Sequence, residues 1–203
     1  MSSIFDLIVL GLIWLVLSIT VIGLGPASTA LYYAVTKSVR KGRGKPLTEF
    51  FSALKQNWRQ SLIIGMLLAV LGIAIYLYDW NYVIALIATG KVQNGLLTAL
   101  AFLKIFLLFG IANYVFPILS RFNTKIPKAV LISLAFTFRH FLVSIYTVVL
   151  LVCAVALALV APIVSWIIPG IYAWLLSVPM ESILRKYTHD EESPDTDQWY
   201  LEK

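Results

Sequence analysis

The chain has 203 residues, is 60% apolar and only 13% charged, and carries a formal net charge of +6. A soluble domain of this size is about a quarter charged, so the ionisable groups are too few to coat a water-facing surface, and the bilayer must be the solvent for much of the protein. The basic excess sits beside apolar runs and not in one long stripe, which disfavours nucleic acid as a partner and favours a role in membrane topology.

Five apolar runs reach spanning length and predict an all-α, polytopic membrane protein with five transmembrane helices. The first, Ile4–Leu24, lacks a basic leading segment and is too long for a signal-peptide core, so it is expected to be retained. It ends in Gly23-Leu24-Gly25-Pro26. Glycine frees the backbone and proline cannot donate, so Gly25 and Pro26 predict a helix break. That break has two readings: a cavity opened near the inner face, or a helix end followed by a new helix over Ala27–Arg40.

After Pro46, which suits a first helical turn, Leu47, Phe50, Phe51, Leu54 and Trp58 recur at helical spacing with Lys55 and Arg59 on the flanks. The pattern predicts an amphipathic interfacial helix ahead of the second span, Ser61–Tyr78. Five spans already anchor the chain, so Phe50, Phe51, Leu54 and Trp58 are better suited to docking a protein partner than to lipid anchoring.

The third span is Leu96–Leu119. It holds Lys104, a residue that costs about 2.5–3.5 kcal/mol at mid-bilayer. Lys104 either contacts a substrate or pairs with Asp79, or it snorkels to the surface on its four methylenes. Asn113, deeper in the same run, is expected to hydrogen-bond to a neighbouring helix.

After Pro127, the apolar stretch Ala129–Phe138 ends in Arg139-His140 and predicts a second interfacial helix. The fourth and fifth spans, Phe141–Ala161 and Ile163–Leu184, are separated by Pro162, and their joint length of two spans favours a tight hairpin over one kinked helix. Cys153, the only cysteine, reads as a small buried hydrophobe and rules out an intrachain disulfide. Glu181 and Arg185 stand four apart and are expected to pair locally. Residues 1–187 thus form one transmembrane domain. Residues 188–203, with Asp190, Glu191, Glu192, Asp195, Asp197 and Glu202, read as an acidic, disordered cytoplasmic tail in which Trp199 and Tyr200 stand out.

Orientation follows from the basic residues. Lys37, Arg40, Lys41, Arg43, Lys45, Lys55 and Arg59 fall between the first two spans, and Arg121, Lys125, Lys128 and Arg139 fall between the third and fourth. The loop between the second and third carries Lys91 and Asp79. Positive loops stay inside, so a cytoplasmic-membrane protein with its N-terminus outside and its C-terminus cytoplasmic is expected. The two basic regions also match each other at an offset of 80: Leu54-x-x-x-Trp58-Arg59-Gln60-x-Leu62 against Leu134-x-x-x-Phe138-Arg139-His140-x-Leu142. A duplicated unit of span, interfacial helix and span is one reading of that match, and chance in apolar sequence is the other.

Reaction motifs are missing. There is no HExxH, Walker A loop, GxSxG or CxxC, and His140 and His189 have no second ligand at metal spacing. No catalytic, cofactor-binding or metal-binding residues are expected.

The string Gly25-Pro26-Ala27-Ser28-Thr29-Ala30-Leu31-Tyr32-Tyr33, then Phe50-Phe51 and Lys55-Gln56-Asn57-Trp58, resembles the YesL family of small bacterial membrane proteins. Phe116-Pro117-Ile118-Leu119-Ser120-Arg121-Phe122 and Phe138-Arg139-His140-Phe141 extend that resemblance. Members of the family are often encoded beside sugar-uptake ABC transporters, so the resemblance implies a non-enzymatic accessory subunit working with the permease subunits of a carbohydrate ABC importer. The alternative is an independent oligomeric transporter or channel, with Lys104 and Asn113 lining a path.

Overall fold

The computed structural model describes residues 3–89, 94–122 and 124–187. Among these there are seven α-helices and no strand: α1 (Ser3–Ser18), α2 (Val21–Ala34), α3 (Pro46–Thr89), α4 (Gly95–Arg121), α5 (Ile126–Arg139), α6 (Phe141–Val160) and α7 (Ile168–Lys186). A π-helical segment, Val35–Arg40, continues α2, and a 3₁₀ turn, Pro162–Trp166, precedes α7. The expected runs Leu96–Leu119 and Phe141–Ala161 agree closely with α4 and α6. The acidic segment 188–203 lies outside the described residues.

Helices α3, α4 and α6 are long and apolar enough to cross a bilayer, and α1 is apolar but shorter. The protein is therefore an all-helical membrane protein with at least these three candidate spans.

Two corrections concern the first hundred residues. The single span expected over Ile4–Leu24 is instead a helical hairpin that reverses at Ile19–Thr20. Trp14 Nε1 donates to Ser28 Oγ at 3.1 Å, and α1 runs back along α2 as far as the π-helical segment. The reversal is local chemistry: Thr20 adopts extended backbone and its hydroxyl accepts from the Gly23 amide, capping α2. Gly25 and Pro26 accordingly do not break a helix, and α2 starts at Val21, not Ala27.

Gly25 serves a different purpose. A Cβ there would collide with the Ser61 carbonyl, and one on Gly65 would come within 2.9 Å of Gly25 Cα. Helices α2 and α3 therefore cross backbone to backbone, as small residues allow in apolar surroundings. Thr29 and Ser61 hydroxyls hydrogen-bond beside the crossing at 2.9 Å.

The second correction is that the interfacial helix after Pro46 and the span Ser61–Tyr78 are one helix. Helix α3 has 44 residues and is about 66 Å long at 1.5 Å per residue, twice the ~30 Å hydrocarbon layer. No proline and no glycine falls between Pro46 and Gly65, so nothing in the backbone ends the helix there. The fifth expected run, Ile163–Leu184, is split into the 3₁₀ turn and α7, which contains Pro179. Cys153 is exposed on α6, not buried.

Candidate functional site

Three helices converge on one buried carboxylate. Glu181 on α7 receives Arg121 Nη1 from the end of α4 at 3.1 Å and Tyr32 Oη from α2 at 3.2 Å. The Arg121 and Glu181 side chains are 6% and 4% exposed, so this is a desolvated ion pair. Desolvation makes such a pair costly to assemble and costlier still to break on one side only. The local Glu181–Arg185 pair expected from spacing is not made: Glu181 faces inward to Arg121, while Arg185 is exposed.

Around this centre, the π-helical segment is tied down twice. Lys37 Nζ donates to Glu49 Oε2 at 2.9 Å and to the Tyr33 hydroxyl at 3.3 Å. Burial opposes the Lys37 charge, but the bonds to Glu49 and Tyr33 outweigh it and hold the pKa above the ordinary lysine value. Arg40 Nη1 donates to the Ser177 carbonyl at 2.6 Å. Sequence spacing shows none of this, because the partners of Glu181 lie 60 and 149 positions away. An acid inside an apolar run was the only available signal.

The intramembrane polar residues separate into two places. Lys104 Nζ meets both Asp79 carboxylate oxygens at 2.8 Å, with the lysine side chain 48% exposed and the aspartate side chain 10%. Of the two expectations for Lys104, this geometry realises the pair with Asp79. Asn113 is buried and accepts from Tyr172 Oη at 2.6 Å, linking α4 to α7 as an interhelical hydrogen bond. The two residues thus bond to different helices, Lys104 to α3 and Asn113 to α7.

Beside Arg121 lies an open cleft of about 1210 Å³, where the first third of α3 meets the end of α4. Phe51, Leu54 and Trp58 lie on one wall and Leu119 and Phe122 on the other, and Lys55 and Arg59 also line it. Phe50 is 0% exposed and packs into the core with Val35 and Ala53, so it cannot share a docking face with Phe51, Leu54 and Trp58. Its ring turns inward because successive residues on a helix point 100° apart. Among the described residues no group of three His, Cys, Asp or Glu side chains could hold a metal.

Helical architecture and long apolar spans define the class as helical membrane proteins. Residues 7–80 match the family model described as "Protein of unknown function, DUF624". The chain is 28% identical over 136 residues to the uncharacterized protein YesL of Bacillus subtilis (strain 168), covering 64% of this chain and 61% of that protein. The chain thus spans less than two-thirds of that relative's length. No solved structure matches it. The chain is therefore similar to YesL over about two-thirds of its length and to the DUF624 model over residues 7–80. Two segments that carry the resemblance, Lys55–Trp58 and Leu119–Phe122, face each other across the cleft.

Proposed function

We propose that the protein is a non-enzymatic accessory subunit of the cytoplasmic membrane that packs against the permease subunits of a carbohydrate ABC importer. The observation that carries this reading is the bareness of α6. Its only buried residues are Ser144 and Thr147, and from residue 148 to its end no side chain is buried. A spanning helix so little covered by its own chain has a face to offer a neighbouring helix, and Val149, Cys153 and Ala156 lie exposed on that face. The interior polar groups support a structural role as well, since Arg121, Glu181, Asn113 and Lys104 are each engaged with another helix. The resemblance to the YesL family supplies the carbohydrate importer as partner. A solute path is disfavoured by the separate engagements of Lys104 and Asn113.

The topology proposed with it has four crossings, α3, α4, α6 and α7, with the α1–α2 hairpin set in from the inner face. The parallel contacts Asn113–Tyr172 and Arg121–Glu181 give α4 and α7 the same direction. Basic residues place residues 41–45 and 124–128 inside. The reversal at Ile19–Thr20 then returns the N-terminus to the inner side, replacing the outside N-terminus expected from one crossing. In a Cys153→Ala background, Asn94→Cys should react with an impermeant thiol reagent on intact cells. Lys45→Cys and an N-terminal epitope tag should stay protected. Partnership is tested by detergent pull-down with mass spectrometry: permease chains should copurify with the wild type and be lost with Val149→Trp/Ala156→Trp. Solute movement by the chain alone in liposomes would defeat the accessory reading.

A further inference from the structure

The cleft between α3 and the end of α4 has a chemistry of its own, separate from the α6 face. Lys55 and Arg59 stand four apart on α3, both exposed, and among the described residues no carboxylate lines the cleft. The cleft's third cation, Arg121, is already matched by Glu181. Two positive charges therefore face a space to which the described residues contribute no negative group. Gln56, Asn57 and Gln60 add neutral amide donors and acceptors beside them. Phe51, Leu54 and Trp58 on one side and Leu119 and Phe122 on the other give the cleft apolar walls, and Tyr33 and Ser120 complete the lining. Cations, amides and a greasy wall together fit a ligand with an anionic head, hydrogen-bonding oxygens and a hydrocarbon stem.

Position selects among such ligands. Arg59 is two residues before Ser61, where the long apolar stretch of α3 begins, and Phe122 directly follows the last residue of α4. The cleft therefore sits where two membrane-crossing helices leave the hydrocarbon, the depth at which phosphate groups of the bilayer lie and where an indole such as Trp58 is favoured. Basic pockets between membrane helices on the cytoplasmic side are suited to anionic headgroups. We infer that this cleft is a binding site for an anionic phospholipid of the inner leaflet. Its phosphate sits between Lys55 and Arg59, its glycerol and ester oxygens meet the amides, and its acyl stem lies on Leu54, Trp58 and Leu119.

The test uses the full chain purified in mild detergent, with lipid adducts counted by native mass spectrometry against phosphatidylglycerol and phosphatidylcholine. The wild type should retain phosphatidylglycerol in preference to phosphatidylcholine by about tenfold, given the gain per basic residue near an anionic surface. Lys55→Gln/Arg59→Gln should abolish that preference, while Lys125→Gln/Lys128→Gln, exposed bases away from the cleft, should keep it. Elution profile and helical content confirm that each variant is folded, and Lys55→Gln alone provides an intermediate case. No preference in the wild type, or equal loss in both double variants, overturns the site. Displacement of the lipid by millimolar inorganic phosphate would make it a free-phosphate site and overturn the lipid assignment. Loss of a copurifying protein with unchanged lipid adducts would make the cleft a protein-docking surface, with the same result.

Discussion

Two stretches of this chain share a local pattern at an offset of 80 and yet fold differently. At Trp58-Arg59-Gln60, α3 runs straight through from its basic end into the bilayer span. At Phe138-Arg139-His140 the chain stops being helical, and α5 and α6 are separate helices with His140 at φ −112° and ψ 50° between them. Neither stretch has a proline or glycine at the junction, so the backbone alone does not decide.

The side chains one turn on do decide it. Where α5 ends, the Thr137 carbonyl loses its next-turn amide, and Ser144 Oγ donates to it at 2.9 Å. Ser144 also meets the Tyr114 hydroxyl at 3.2 Å. The residue at the corresponding place in α3 is Ile64, which has no group to offer a freed carbonyl and is fully buried. On the outer side of the break, the His140, Phe136 and Tyr187 rings stack edge to face or tilted, and Arg139 lies over Tyr187 at 5.3 Å. The α3 junction is instead held by backbone contact, with Gly25 against Gly65. A similar stretch of sequence becomes a rod when small residues let helices touch, and a corner when hydroxyls and aromatics satisfy what a corner exposes.

The largest effect is expected from filling the α2–α3 contact. Gly65→Leu puts a side chain into the Gly25 backbone, with no flexible neighbour to yield. Overpacking of this kind costs about 1–3 kcal/mol or more. Folded protein in the membrane fraction should fall sharply, and wild-type accumulation would show that the crossing is not required. At the corner, Ser144→Ala leaves the Thr137 carbonyl unsatisfied in a buried place, at about 1–3 kcal/mol. The melting midpoint in detergent should drop, whereas Ile64→Ser in α3 should not create a second corner. A cysteine pair across α5 and α6 that reported a straightened helix in wild type would dissolve the contrast.

The smallest effect concerns His140. Burial, helped by the nearby Arg139 and Lys186 charges, lowers its pKa from the usual histidine value. A depressed histidine is held neutral by the fold, so its contribution is present above about pH 6.5 and is lost as pH falls through the lowered native value. Midpoints measured from pH 8 to pH 5 should decline slightly in wild type and less in His140→Asn. Equal slopes would remove His140 from the corner.

Much of the helical layout was legible in the sequence, because α4 is an apolar run between Asn94 and Arg121 and α6 one between His140 and Pro162. The hairpin at Ile19–Thr20 was not. It lies inside an apolar stretch with no charge to mark it, and its signals, the Thr20 cap and Gly23, are overshadowed by the more conspicuous Gly25-Pro26. The fusion of the Phe51–Trp58 segment to its span was hidden because an amphipathic pattern does not say whether the helix stops after it. The pair at the centre was illegible for a different reason. Glu181 has an obvious local partner in Arg185, and only packing reveals that Arg121 and Tyr32 approach it from two other helices.

That buried pair joins α4 to α7 and fixes the frame on which both the α6 face and the cleft depend. It is tested most directly by a double-mutant comparison of unfolding midpoints in detergent. Glu181→Met alone removes the buried carboxylate that Arg121 meets and should destabilise by about 3–5 kcal/mol, while Arg121→Met/Glu181→Met should recover most of the loss. A single variant as stable as the wild type, or a double variant no better than the single, would contradict the account.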